Sequence, residues 1–335
     1  MRSARTYFQF IRTSARFLNP VVFVLLVGAS HLQAATYYVD QTSGSDANSG
    51  ISAGAPWKNC PGMRIGGALA NTGHSLSAGD TVYLAKGDTW QVAASGNGGF
   101  ELKGGVTYIG DSFMGDSTGT SRAKIQASGT CEAGVVRFFD HATLETVFRG
   151  FEVDANSSIS SGIDINHRYN TAMNGATKRV LDCEVHHTWS RQASGQYKYG
   201  IIVSSFVAAG GTPTANVEIF NCKVHDTSRD GICLYPGDQS ADCLVTNVTV
   251  RGCEVYNTGQ DPDYSAGAGL LIKGHVVNAF LEYNYSHDTH GAAAFINGNE
   301  TNHFANVGPT NIHPDAHAAL DDFWKFHHYG WVKLA

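Results

Sequence analysis

Residues 221–235 read NCKVHDTSRDGICLY and place Lys223, His225, Asp226, Arg229, Asp230 and Tyr235 within one short stretch. Imidazole, carboxylate and guanidinium at such spacing could move protons, hold a cation or clamp an anionic substrate. Two other stretches have the same character. GAGLLIKG ends with Lys273, a candidate general base, and follows an acidic insert containing Asp261 and Asp263. NIHPDAH carries His313, Asp315 and His317; the two histidines are four apart, but Pro314 opposes the helix that would put them on one face.

The reading of these clusters depends on whether their letters recur, and they do. Aligning on the cysteines gives FEVDAN from Phe151, CEVHHT from Cys183, CKVHDT from Cys222, CEVYNT from Cys253 and NYSHDT from Asn284. A second segment follows each and starts with glycine: GIDIN from Gly162, GIIVS from Gly200, GICLY from Gly231, GLLIK from Gly269 and GAAAF from Gly291. Both segments have the period-two alternation of strands, and the inserts between them differ widely in length. Strands repeating every 31 to 39 residues are expected to stack as parallel coils of a solenoid, since no single coil can bury its own apolar face.

The elements that must position the chemistry are thus two strands per coil, and the coils sort the polar residues into columns. One outward column reads Glu152, Glu184, Lys223, Glu254, Tyr285, a cross-strand charge ladder. The next reads Asp154, His186, His225, Tyr256, His287. The strand-end column His187, Asp226, Asn257, Asp288, each followed by threonine, suits capping of backbone amides at a turn. Each column can be scaffold, and the imidazoles can also serve a sugar or a metal. Cys183, Cys222 and Cys253 are expected to face inward as small apolar residues; a disulfide between coils is the alternative. The seven cysteines show no CxxC or zinc spacing.

Of the 335 residues, the first 35 read as a secretory signal, with Arg2, Arg5, Arg12 and Arg16, then NPVVFVLLVGA, then small residues with cleavage after Ala34 or Ala35. The apolar run is shorter than the about 20 residues that span a bilayer. A secreted, periplasmic or cell-surface protein with no membrane span after cleavage is therefore expected. Net charge is −6 and the basic residues are scattered, so nothing in the sequence suggests a nucleic-acid surface, and no nucleic-acid partner is expected. Residues 36–300 are assigned to the solenoid and 301–335 to a cap or a truncated end, and a monomer is expected.

The mature start, TYYVDQTSGSDANSGISAGAPWKN (36–59), resembles the opening of exported pectin-lyase-like proteins, with its G-x-D-x-N-x-G turn and Pro-Trp-Lys. LSAGDTVYLAKGDTW (76–90) and RAKIQAS (122–128) match their next segments. The resemblance implies an all-β fold, a right-handed single-stranded parallel β-helix, and a group that includes polysaccharide lyases, hydrolases, epimerases and adhesins.

Arg229-Asp230, Lys273 and the Asp261/Asp263 insert do not repeat; positions equivalent to Lys273 hold Asn166, Ser204 and Tyr235. This local pattern is similar to family 9 pectate lyases, which implies a lysine base and a calcium site. Lys273, Arg229, Asp230 and Tyr235 become the catalytic candidates, and His225, His287 and Tyr256 the substrate-binding ones. Asp226, Asp230, Asp261 and Asp263 are the calcium candidates, although only one Asp precedes Gly231 and Cys233 stands where a further acidic ligand is expected. The expected activity is β-elimination on an acidic polysaccharide. A glycosidase with paired carboxylates and a non-catalytic carbohydrate-binding protein are the alternatives.

Overall fold

The computed structural model describes residues 34–335 except 95, 116–120, 139–143, 169–174, 190–197, 207–213, 237–243, 262–266, 275, 298–307, 311–312, 315–323 and 328–335. The signal segment up to residue 33, Cys243, Asp263, Asp315 and His317 lie outside the described residues, as does the side chain of His313.

Among the described residues, three long sheets carry the chain. The first has nine strands, from Thr36–Val39 to Gly308–Thr310. The second has eight, from Thr89–Ala94 to His313–Pro314, and the third has eight, from Phe100–Leu102 to Trp324–His327. Neighbouring strands within each sheet are parallel and come from successive coils, as Glu184–Thr188, Lys223–Thr227 and Glu254–Thr258 do in the second sheet. Each sheet has a strand beyond residue 300, so the coiled register runs on past that point.

A coil therefore has three strands where the alternation reads two. The additional one, exemplified by Thr214–Phe220, precedes each cysteine segment and builds the first sheet. Between the first and second strands the chain turns on one residue with positive φ: Gly150, Asp182, Asn221 or Gly252, at 74°, 54°, 53° and 65°. The second corner is built the same way. His187, Asp226, Asn257 and Asp288 have φ of 56°, 51°, 49° and 47°, a region that Asp and Asn tolerate better than most side chains. The corner itself explains that column. The threonines that follow do not cap amides: the hydroxyls of Thr227 and Thr258 donate to the carbonyls of Arg229 and Gly267, at 3.0 and 2.7 Å.

The core runs the length of the stack as columns of like residues. Val185, Val224 and Val255 are fully buried, beside Cys183, Cys222 and Cys253. The six described cysteines are free, and the thiols of Cys131, Cys183, Cys222 and Cys253 sit against carbonyls, as Cys222 Sγ does at 3.3 Å from Phe220 O. The glycine leading each third-sheet strand is required by close approach. A Cβ at Gly162, Gly200 or Gly231 would lie 2.7, 2.6 or 2.7 Å from the carbonyl oxygen of the corresponding glycine one coil on, and closer still to a core valine methyl. The N-terminal turn is held by Asp46, which accepts from the amides of Lys58 and Asn59, while buried Trp57 stacks on Tyr37 at 4.4 Å.

Candidate functional site

Two outer faces gather the chemistry. On the third sheet, Ile232, Leu234, Leu270 and Ile272 point into the core, which turns Cys233, Tyr235, Leu271 and Lys273 outward. Lys273 stands one coil beyond Tyr235, with its Nζ 5.1 Å from the centre of the phenol ring. Tyr235 rests on a small external apolar cluster of Tyr199, Ile202, Cys233, Ala268 and Leu271. Below it, the corner before Gly231 delivers Arg229 and Asp230. The Arg229 guanidinium lies 5.5 Å from the Tyr199 ring centre and donates to the Tyr199 hydroxyl at 3.4 Å, with its Nε 3.8 Å from Asp230 Oδ2.

Asp230 is 2% exposed, and its Oδ1 accepts from the Ala268 amide at 2.8 Å. Burial pushes its carboxyl up to about 6, against the pull of that hydrogen bond and of the positive charges on Arg229 and Lys273. Its Oδ2 has no hydrogen-bond partner among the described residues. The Cys233 thiol is pushed well up by burial and by the Asp230 carboxylate, so it is an inert group here rather than a nucleophile.

On the second sheet, the imidazole column is a stack of rings. His186 and His225 lie 5.1 Å apart and 10° from parallel, His225 and Tyr256 4.8 Å and 5°, Tyr256 and His287 5.0 Å and 13°. The distances follow the spacing of neighbouring strands. Each histidine also reaches the glutamate of the preceding coil through Nε2: His186 to Glu152 at 3.1 Å, His225 to Glu184 at 3.2 Å, His287 to Glu254 at 3.4 Å. The Nδ1 atoms of His225 and His287 meet Asp226 and Asp288 at 2.7 and 2.9 Å. The two adjacent columns thus form one hydrogen-bonded fabric, a coupling that column-by-column reading of the sequence does not show. Lys223 takes part through Glu184 Oε1 at 3.9 Å and lies over the Tyr256 ring at 5.3 Å.

A family model described as right handed beta helix region matches residues 207–307. With three parallel sheets wound coil upon coil, this settles the architecture. The fold is a right-handed parallel β-helix. Solved structures of similar shape include pectate lyase Pel9A, at 13% identity, covering 84% of this chain and 78% of that one with a TM-score of 0.44. A rhamnogalacturonan lyase is 14% identical, with coverage of 83% and 74% and a TM-score of 0.39. The A-module of the mannuronan C-5 epimerase AlgE4 from Azotobacter vinelandii is 13% identical, with 76% and 91% coverage and a TM-score of 0.32. No curated protein sequence matches the chain. At these identities, what the β-helix does has to be read from its own side chains.

The β-helix brings Arg229, Asp230, Tyr235 and Lys273 to the third-sheet face, and Tyr199 joins them. Tyr199 went unnoticed in the sequence because it ends a long insert; its place immediately before Gly200, matching Asp230 before Gly231, was the available signal. His225, Tyr256 and His287 stand on the second-sheet face, with Asp226 beside them. Asp226 is engaged by His225 and by Asn257 Nδ2 at 3.1 Å. Burial alone would raise its carboxyl, but those hydrogen bonds outweigh it and hold it low. Asp261 is buried, with its amide donating to Ser228 O at 2.9 Å. A calcium ion takes about six to eight oxygens. Asp226 is directed to the imidazole fabric, whereas Asp230 presents one oxygen beside a guanidinium. The described residues of the expected set do not fit that ion. Among the described residues no helix is long and apolar enough to cross a membrane.

Proposed function

We propose that this β-helix protein acts on an acidic polysaccharide laid across the third-sheet face, cleaving it by β-elimination with Lys273 as the base. One observation carries the reading: Arg229, Asp230, Tyr235 and Lys273, which the repeat does not require, come together on one outer face. In this reading the N-terminal segment directs export, and the protein works outside the cytoplasm as a monomer.

The chemistry asked of the face is simple to state. Arg229 offers a fixed positive charge, already oriented by Tyr199, to the uronate carboxylate. Lys273 takes the proton on the carbon next to that carboxylate. The freed electron pair becomes the carbon–carbon double bond, and the bond to the glycosidic oxygen breaks. Tyr235, one coil before Lys273, gives that leaving oxygen its proton in this reading. No calcium step is assigned, because the described residues do not supply its ligands.

The second-sheet ring stack favours a second reading, non-catalytic carbohydrate binding, in which His225, Tyr256 and His287 line the contact. Purified protein incubated with a panel of uronic-acid polymers, with and without calcium, separates the readings. Products with unsaturated ends, absorbing in the near ultraviolet and reduced at least about a thousandfold in Lys273→Ala, are expected. Reducing ends without unsaturation would mean a hydrolase. Retention of polymer with neither product would reject both enzymatic readings.

A further inference from the structure

At the N-terminal end of the ring stack the pattern changes. Elsewhere the residue after the stacked histidine is an aspartate that takes up Nδ1; after His186 it is His187. The two Nδ1 atoms face each other at 2.6 Å, and Asp154 Oδ1 lies 3.6 Å from the first and 3.4 Å from the second. Nitrogens and oxygens bound at about 2.0–2.1 Å around a tetrahedral ion stand about 3.3 Å apart. Two of the three separations, 3.6 and 3.4 Å, are already close to that value, and the third opens by less than an ångström when the half-exposed His187 ring swings outward.

The surroundings hold these groups in the state that binds a metal. His186 is 6% exposed, and its Nε2 meets the Glu152 carboxylate. A carboxylate accepts only, so the proton resides on Nε2 and the lone pair of Nδ1 faces Asp154 and His187. Asp154 is anchored through its other oxygen by Lys124 Nζ at 2.8 Å and Gln126 Nε2 at 2.8 Å, leaving Oδ1 with the Asn156 amide and the two imidazoles. His187 is brought in by the positive φ of the corner, 56°, an unusual conformation for a histidine. Its Nε2 is 3.9 Å from Asp226 Oδ2. Among the described residues, the carboxylates of Glu152, Asp154 and Asp226 contact the pair, and Lys124 bridges two of them, surroundings that favour a bound cation.

We propose that Asp154, His186 and His187 form a binding site for one divalent transition-metal ion of the zinc type. Two imidazole nitrogens and one carboxylate suit zinc, cobalt or nickel and disfavour calcium, which seeks oxygen. The exposed side of His187 leaves a coordination position open to solvent. The site is separate from Lys273 and independent of the lyase reading.

The test uses the full chain without a histidine tag, stripped with chelator and titrated with cobalt(II) alone. One equivalent should bind, with the visible absorption of a low-symmetry cobalt site, and zinc but not millimolar calcium should displace it. His187→Asn keeps a residue that tolerates the corner conformation, removes the imidazole and should abolish the signal. Glu152→Gln should weaken binding by about ten- to a hundredfold through loss of the group that orients His186. His287→Ala, at the far end of the stack, should leave cobalt binding unchanged. Unaltered circular dichroism in His187→Asn excludes loss of fold as the cause. No cobalt uptake by the unaltered protein, or equal uptake by His187→Asn, would overturn the proposal and leave the 2.6 Å contact as a hydrogen bond sharing one proton.

Discussion

Replacing Gly231 by alanine is a direct trial of the stacking. The added carbon would meet Gly269 O at 2.7 Å and Thr258 Cγ2 at 3.2 Å, and a Val255 methyl closer than either. The oxygen is backbone and Val255 is fully buried, so neither can turn aside. The coils must part locally, loosening the bonds from Gly231 N to Ala268 O and from Ile232 N to Gly269 O, both 2.9 Å. Overpacking of this kind costs about 1–3 kcal/mol, and weakening two backbone hydrogen bonds adds about 1 kcal/mol. Alanine restricts the unfolded chain, which offsets about 0.5 kcal/mol. A net loss of about 1.5–3.5 kcal/mol follows. Gly54→Ala is the matched control, because nothing lies within 4 Å of its added carbon. Urea unfolding followed by far-ultraviolet circular dichroism reads both. With a slope of about 3 kcal/mol per molar, Gly231→Ala should unfold about 0.5–1.2 M earlier than the unaltered protein. Gly54→Ala should stay within about 0.2 M of it. Equal midpoints for the two variants would show that the leading glycines are not required by the next coil.

Two other outcomes are expected. Burial raises the Asp230 carboxyl from near 4 to about 6, so between those values the folded state holds a proton that the unfolded state has released. That contribution is fully present below about pH 4 and lost as pH rises to about 6, by up to about 3 kcal/mol. Asp230→Asn, which keeps an acceptor for the Ala268 amide, should flatten stability across that window; an unchanged slope would remove Asp230 as its source. The free cysteines are buried, and burial pushes the Cys131 thiol up to about 11. In a Cys243→Ser background at pH 8, a thiol-exchange reagent should label none of the six while the chain is folded and all six in urea. Rapid labelling of the folded protein would contradict the core assignment.

Stacking in register makes each coil repeat its neighbour's local chemistry, so the sequence alone determines much of this protein. The cysteine and valine core columns, the leading glycines, the glutamate and imidazole columns and the adjacency of Tyr235 and Lys273 all follow from period two and a spacing of 31 to 39 residues. The first-sheet strands escaped because they join the cysteine segments through a single corner residue, and the alternation runs through that corner without a visible break. Contacts between columns and across inserts were decided only in three dimensions. Arg229 meets Tyr199 over an insert of irregular length, and Asp154 meets His187 because a left-handed corner turns that imidazole back toward the strand face. Neither meeting has a spacing that could be read beforehand, since insert length and corner geometry, rather than the repeat, set where those side chains end.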